Sequence, residues 1–208
     1  NIFIPGNRTE ITKERILEDL FRIREIIIYK HNNLFLHLVD GLINKVQIFG
    51  LHFASLDVRQ ESSIHSKVLE LVAASSSALP KNYALLNDDE KINVLTNVTE
   101  AAGEIITDDA VFTDTPASIK AISDIQTYNG EAGCNRYIIS QCNSALNVIE
   151  VYGLFLLNGW NKENLSIDIV PLFETIDDLK NASGIMKTLY ENDVYSNHLK
   201  QRNYRQTI

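Results

Sequence analysis

The stretch from residue 166 to residue 179, SIDIVPLFETIDDL, constrains the fold more than any other part of the sequence. Residues 167–173 form an almost continuous apolar run, which is typical of a strand covered on both faces in a parallel α/β sheet. Glu174 follows directly, and a helical pattern begins after it. Because α/β proteins build their sites just beyond the carboxyl ends of strands, Glu174 is a candidate site residue. The alternative is that Glu174 only caps the next helix or lies in its first turn, where the helix dipole favours acids.

A second apolar run, residues 47–58, is rich in aromatic and β-branched side chains and predicts another buried strand. Arg59 follows this run. It is a candidate anion ligand, because a guanidinium binds carboxylate or phosphate through two parallel hydrogen bonds. The alternative is a structural ion pair of Arg59 with Asp57 or Glu61.

Helical patterns fill most of the remaining sequence. Thr9 or Thr12 is expected to cap an amphipathic helix that reaches residue 30, and a second helix is expected to run from about residue 33 to 46. The Thr115–Pro116 pair predicts a helix start, with Pro116 at the first helical position. Further helices are predicted over 63–74, 88–98, 145–158 after a Ser144 cap, 176–189 with a break near Gly184, and within the tail 192–208.

The alternation of strands and helices is typical of a parallel sheet or barrel. Another short strand is predicted at 134–140, between the two apolar runs. The total of about three strands is too few to close an eight-stranded barrel. We therefore expect a predominantly helical α/β fold, a partial (β/α)8 TIM-barrel arc within one larger domain. Its expected parts are N-terminal helices at 1–45, a strand and helix at 46–75, a helical insertion at 76–130 and two strand–helix units at 131–208.

Composition narrows the classes of function. A formal net charge of −8 over 208 residues argues against nucleic-acid or anionic-membrane partners. The sequence shows no apolar run long enough for a membrane span and no signal-peptide pattern, so we expect a cytoplasmic protein. Cys134 and Cys142 flank a predicted strand and are expected to be reduced thiols. Met186 is the only methionine, so we expect the chain to be an internal piece of a longer protein.

Two segments carry a family likeness. Residues 56–62, LDVRQES, follow an FG pair at 49–50 and precede His65, and residues 170–179 read VPLFETIDDL. These segments resemble the FG…LDIRQES…H and VPLFET-DDL segments of the phosphoenolpyruvate carboxylase family. His65 has no neighbour at a metal-ligand spacing and is interpreted, like His52, as a packing or surface residue.

The order and approximate spacing of the segments agree with the family. Residues 137–140 resemble its YIIS strand, and residues 193–196 resemble its D-Y helix. The likeness is specific over about 46–71 and 136–199 and weak before residue 45 and in the insertion.

The resemblance implies a part of a (β/α)8 barrel that adds bicarbonate to phosphoenolpyruvate, giving oxaloacetate and phosphate with Mg²⁺ or Mn²⁺. Arg59 would match the family arginine that holds the substrate phosphate. Glu174 would match one of two carboxylates that hold the metal. Attack of bicarbonate on phosphorus gives carboxyphosphate and the enolate of pyruvate. A cation on oxygen ligands stabilises such an enolate, and arginine offsets the phosphoryl charge.

Segments that the resemblance leads us to expect in the whole enzyme are absent from the sequence. These are the catalytic-histidine segment TAHPT, the GYSD…KD segment with the second metal carboxylate, and a later glycine- and arginine-rich loop. We therefore expect the isolated chain to be inactive, with its metal site unoccupied, and to self-associate through apolar edges. Two alternatives stay open: a non-catalytic helical interaction or regulatory module from the same barrel, and an unrelated metal-dependent barrel enzyme.

Overall fold

A computed structural model of the chain describes residues 11–103 and 109–208. The described part contains eight α-helices and a three-stranded parallel sheet, so the fold is helix-rich α/β, as predicted. It divides into two compact units: one reaches Ser55 and includes residues 125–133, and the other holds 56–124 and 134–208. None of the described helices combines the length and apolar character needed to cross a membrane.

The first unit contains a pair of packed helices, α1 (Lys13–Lys30) and α2 (Leu36–Phe49). Thr12 caps α1 by accepting a hydrogen bond from the Arg15 N–H at 3.2 Å, one of the two caps predicted; the other, Thr9, lies outside the described residues. An ion pair joins the helices, with Arg24 Nε 2.7 Å from Asp40 Oδ1. The second helix begins later than predicted, because residues 32, 33 and 35 all have left-handed φ angles and form a turn.

The apolar run at residues 47–58 does not form the predicted strand. Residues 47–49 continue α2, and Gly50 ends the helix with a φ of 54°. Residues 51–56 are irregular, and the strand begins only at Asp57. Apolar side chains of the run are exposed, Ile48 at 71%, so the run is not a buried element. The spacing of apolar residues cannot distinguish the end of a helix from a strand when the run is short and almost continuously apolar, which explains the error.

The second unit contains the parallel sheet. The register pairs Arg59 with Ile138 and Ile138 with Val170, so the middle strand lies between the other two. The second and third strands lie where the sequence predicted them, although both are shorter. The strands, in spatial order, are β1 (Asp57–Glu61), β2 (Arg136–Ser140) and β3 (Asp168–Pro171).

Helix α6 (Ala145–Leu157) lies at the centre of the core, and every one of its residues is buried. Ser144 caps it, as predicted, by accepting from the Asn147 N–H at 3.4 Å. Helix α3 (Ser62–Ser75) follows β1 directly and packs on α6, as does α4 (Asp88–Thr96). Gly153 permits close packing with α4, since a Cβ there would lie 2.7 Å from Leu95 Cδ2.

Two ion pairs stabilise the amino-terminal edge of the sheet. Asp57 begins β1, and its Oδ1 lies 3.0 Å from Nε of Arg136, which begins β2. Asp168 begins β3, and its Oδ1 lies 2.6 Å from Arg202 Nε. The amino edge of such a sheet typically serves stability, which leaves the carboxyl edge for a site.

Two further helices differ from their predictions. Helix α5 (Ala110–Asn129) starts before Pro116, which lies inside it rather than at its first position. An interior proline removes one backbone hydrogen bond, but the buried Ile119 and Ile122 anchor this helix, and Gly130 ends it. Helix α7 (Ile176–Glu191) continues through Gly184 without the predicted break.

The tail forms α8 (Asp193–Gln201), with Asn192 accepting a capping hydrogen bond from the Tyr195 N–H. Tyr195 and Leu199 are buried and anchor this helix, whereas Tyr204 is exposed.

Candidate active site at the carboxyl edge of the sheet

The two candidate residues from the sequence meet at the carboxyl edge of the sheet. Arg59 Nη2 donates a hydrogen bond to Glu174 Oε1 at 2.6 Å, across 115 positions of the chain. The sequence predicted that Arg59 lies just beyond the strand. In the structure it is the third residue of β1. Both structural partners considered for it, Asp57 and Glu61, are engaged elsewhere: Asp57 pairs with Arg136, and Glu61 accepts from Ser63 Oγ.

Glu174 does not cap the following helix. Thr175 is the N-cap of α7 and forms a reciprocal capping box with Asp178, whose Oδ2 accepts from the Thr175 N–H at 2.9 Å. Hydrogen bonds from Thr175, then from the Glu174 N–H, lower the pKa of the Asp178 carboxyl. Because Thr175 and Asp178 satisfy the end of the helix, the Glu174 carboxylate is available for the edge of the sheet. The capping alternative for Glu174 is therefore wrong.

The backbone beyond β2 supplies a further donor to this carboxylate. The Gln141 N–H lies 3.2 Å from Glu174 Oε2, so both carboxylate oxygens accept a hydrogen bond. Gln141 has a left-handed φ of 53°, and its carbonyl accepts from Ser62 Oγ at 2.9 Å. Sequence reasoning named neither Gln141 nor Ser62 as a site residue. A backbone donor carries no side-chain signal, although the matched LDVRQES segment ends at Ser62.

The ion pair is partly open to solvent, because the side chain of Arg59 is 54% exposed and that of Glu174 is 35% exposed. Pairs with this exposure contribute at most about 1 kcal/mol to stability. A guanidinium has five N–H donors, and in the described part only Nη2 of Arg59 is engaged. Arg59 therefore retains donors for an anion, and its link to Glu174 is weak enough to rearrange when one binds.

The metal implied by the family resemblance can be tested against the donors at this edge. Among residues 11–103 and 109–208, no group of three His, Cys, Asp or Glu side chains is arranged to hold a metal ion. Glu174 supplies one hard oxygen donor, and Mg²⁺ characteristically takes only one or two protein carboxylates and fills its remaining positions with water and substrate. Glu174 therefore fits one ligand of such a site.

His65 lies in the core and not at this edge. Its ring is fully buried, and Nε2 lies 3.0 Å from the Tyr137 hydroxyl oxygen. Burial lowers the pKa of His65 to about 4, so the ring is neutral at pH 7. The packing interpretation of His65 is confirmed. His52 is partly exposed and belongs to the other compact unit.

The fold is that of a helix-rich α/β protein with a parallel sheet. Its arginine–carboxylate pair meets at the carboxyl edge of that sheet, which is where α/β proteins bind their ligands. The model of the family described as phosphoenolpyruvate carboxylase matches residues 5–208. The chain belongs to this family.

Curated relatives agree with this membership. The chain is 34% identical over 168 residues to a phosphoenolpyruvate carboxylase from Prochlorococcus marinus (strain MIT 9312), covering 77% of the chain and 17% of the relative. It is 31% identical over 202 residues to the phosphoenolpyruvate carboxylase of Synechocystis sp. (strain ATCC 27184 / PCC 6803 / Kazusa), covering 93% of the chain and 19% of the relative. The chain therefore spans less than a fifth of the length of these relatives, and it matches an internal part of them.

Proposed function

We propose that this chain is part of an enzyme that carboxylates phosphoenolpyruvate with bicarbonate, giving oxaloacetate and phosphate. The observation that carries the proposal is the Arg59–Glu174 pair, which joins the two matched family segments at the carboxyl edge of the sheet. Family membership alone does not specify which residues act. The pair brings together the two residue types that the reaction needs, one for a phosphate and one for a cation.

The fold supports a place for the chain inside a larger catalytic barrel. All three strands are parallel, they follow one another in sequence order, and each is followed by a helix. This arrangement supports the placement, because a (β/α)8 barrel is built from parallel strands that are each followed by a helix. The three strands would form an arc of it, with neighbours on the open sides of β1 and β3, so that the chain is a piece of one larger catalytic domain.

Arg59 is proposed to bind the phosphoryl group of phosphoenolpyruvate. Its guanidinium stays charged at any working pH and matches the geometry of phosphate oxygens. When bicarbonate attacks phosphorus, the P–O bond to the enol oxygen breaks and the phosphoryl group passes to bicarbonate. Arg59 would hold that group in place and offset its negative charge during the transfer.

Glu174 is proposed to be one ligand of a bound Mg²⁺ or Mn²⁺. Such a cation supplies positive charge that stabilises the enolate left after phosphoryl transfer. Glu174 would donate an oxygen from a defined position, because the Gln141 N–H holds its carboxylate when Arg59 turns to the substrate. The second carboxylate would come from a segment that this sequence does not contain.

The proposal also includes the cellular location of the protein and its reactants. We infer a cytoplasmic enzyme, since both substrates and the product are small charged metabolites. Phosphoenolpyruvate and bicarbonate are the proposed reactants, with no nucleic acid and no membrane partner. The isolated chain is proposed to be inactive, because the segments expected to carry the catalytic histidine and the second metal carboxylate are absent from its sequence.

The test uses the full-length protein that carries this chain. Phosphate release from phosphoenolpyruvate is measured with and without bicarbonate and Mg²⁺, in the unaltered protein and in Glu174→Gln. Glu191→Gln is the matched control, because Glu191 is a glutamate at the far end of α7 that pairs with Lys187. We expect bicarbonate- and metal-dependent release in the unaltered protein and the control, and a large loss in Glu174→Gln. Equal release in all three would overturn the proposed role of Glu174.

A further inference from the structure

Ser62 connects the first strand to the turn that follows the second strand. It is the first residue of α3, directly after β1, and is 7% exposed. Its Oγ donates a hydrogen bond to the Gln141 carbonyl oxygen at 2.9 Å, across 79 positions of the chain. A buried hydroxyl that reaches a neighbouring strand's end in this way can set the shape of the turn there.

The turn at Gln141 has a backbone conformation that a side chain disfavours. Its φ of 53° lies in the left-handed region, which residues with a Cβ adopt at a cost unless the surroundings hold them there. Two contacts do so in addition to Ser62. The Gln141 N–H donates to Glu174 Oε2 at 3.2 Å, and the Cys142 N–H donates to the Leu172 carbonyl at 3.4 Å. The turn is thus held from the β1 side and from the β3 side.

We propose that Ser62 is a positioning residue: by holding the Gln141 turn, it directs the Gln141 N–H onto Glu174 and fixes the carboxylate that binds the metal. The inference rests on the proposed function for the role of Glu174. The contact of Ser62 with Gln141 is independent of that role. Residues that orient a metal ligand through hydrogen bonds, without touching the metal, have large effects on metal affinity. The reason is that a loosely held carboxylate must be ordered when the cation binds.

Ser62 could instead serve stability alone, without any effect on metal binding. A variant of Ser66 distinguishes this structural role from the positioning role. Ser66 lies one turn further along α3, and its hydroxyl donates to the buried Glu150 carboxylate at 2.9 Å. Ser66→Ala therefore removes a comparable hydrogen bond from the same helix without touching the Gln141 turn. Both alanine variants should lower stability, whereas only Ser62→Ala should weaken metal binding.

The experiment titrates Mn²⁺ into the full-length protein and follows bound ion by electron paramagnetic resonance, with thermal unfolding recorded for every variant. We expect Ser62→Ala to weaken Mn²⁺ binding by about tenfold and Ser66→Ala to leave it within about twofold of the unaltered protein. Ser62→Thr, which keeps the hydroxyl, should bind Mn²⁺ more tightly than Ser62→Ala. If Ser62→Ala does not fold, Ser62→Cys replaces it, since a thiol of similar size is a weak donor, and the same direction is expected.

The outcomes separate this inference from the proposed function. Glu174→Gln is titrated alongside and should lose Mn²⁺ binding. If Glu174→Gln binds Mn²⁺ normally, the metal role of Glu174 is wrong, and the role of Ser62 is overturned with it. If Glu174→Gln loses binding but Ser62→Ala behaves like Ser66→Ala, the proposed function stands and the positioning role of Ser62 is refuted.

Discussion

Arg59 in β1 and Glu174 beyond β3 lie 115 positions apart in the sequence, and their side chains meet at 2.6 Å. The contact reaches across the middle strand, so it exists only when all three strands are assembled in the order β1, β2, β3. It joins the two segments that carry the family resemblance. The carboxyl edge of the sheet, rather than either segment alone, is therefore the unit of function that we propose.

The isolated 208-residue chain is expected to show no turnover of phosphoenolpyruvate and bicarbonate. The reason is that the segments expected to carry the catalytic histidine and the second metal carboxylate are absent from the sequence. The measurement is metal-dependent phosphate release by the purified chain, with Glu174→Ala as the control. Turnover above that control would refute the expectation.

The isolated chain is also expected to self-associate. Large apolar side chains of α2, including Leu38, Leu42 and Ile48, are exposed, and in the described part β1 and β3 each pair on one side only. Exposed apolar surface and open strand edges favour association. Static light scattering should report oligomers at moderate concentration.

A matched pair of variants tests the source of that association. Leu38→Gln with Ile48→Gln should lower the apparent mass, because both substitutions reduce the apolar surface of α2. Leu85→Gln replaces a leucine outside α2 that is even more exposed, and it should leave the mass unchanged. A clean monomer before any substitution would contradict this prediction.

Glu150 makes the stability of the chain depend on pH. Its carboxylate is 1% exposed and accepts hydrogen bonds from Ser66 and Asn147. Burial raises the pKa of Glu150 from 4.5 to about 7, and the hydrogen bond from Ser66 opposes the rise. Between these two values the folded chain binds the proton more tightly than the unfolded chain does. Stability therefore falls as pH rises from about 4.5 to 7.

Replacing Glu150 with glutamine removes the buried charge and keeps a hydrogen-bond acceptor for Ser66. Glu150→Gln should match the unaltered chain near pH 4 and exceed its free energy of unfolding at pH 8, by on the order of 3 kcal/mol. Urea unfolding at the two pH values measures the difference, with the exposed Glu70→Gln as control. A gain that is the same at both pH values would show that the charge of Glu150 is not its cause.

The two cysteines should resist modification in the folded chain. Cys134 and Cys142 are buried and not joined in a disulfide, and burial raises the pKa of both thiols, that of Cys142 to about 12. Because the thiolate is the reactive form, a disulfide reagent should react slowly until denaturant is added. Ser77→Cys places a thiol at an exposed position and serves as the reactive control. Rapid reaction of the unaltered folded chain would contradict the burial of both thiols.

The sequence predicted correctly those helix ends that are fixed by a residue at the end itself. Thr12 and Ser144 cap their helices as predicted, because a hydroxyl three positions before a helical N–H satisfies it locally. Gly130 ends α5 for an equally local reason, its left-handed φ of 84°. The buried run before Glu174 also formed a strand in the predicted place, whereas the run before Arg59 did not.

The errors arose where distant packing decides the outcome. Pro116 lies inside a helix because its neighbours Ile119 and Ile122 are buried, and Gly184 is accommodated within α7. The run at 47–58 has apolar residues that suit either a helix or a strand, and only the structure shows that α2 ends at Phe49 and that the strand begins at Asp57. The donor at Gln141 is a backbone group, so no side-chain pattern in the sequence marks it.

The central claim is that Arg59 serves the substrate and Glu174 serves the metal at one site. Steady-state kinetics of the full-length protein, with phosphoenolpyruvate and Mg²⁺ varied independently, test it directly on Arg59→Lys and Glu174→Gln. Arg59→Lys should raise the KM for phosphoenolpyruvate by about tenfold to a hundredfold, with little change in the half-saturating Mg²⁺ concentration. Glu174→Gln should raise the half-saturating Mg²⁺ concentration by about tenfold or more. Two variants that leave both constants unchanged, or an Arg59 variant that shifts only the Mg²⁺ constant, would contradict it.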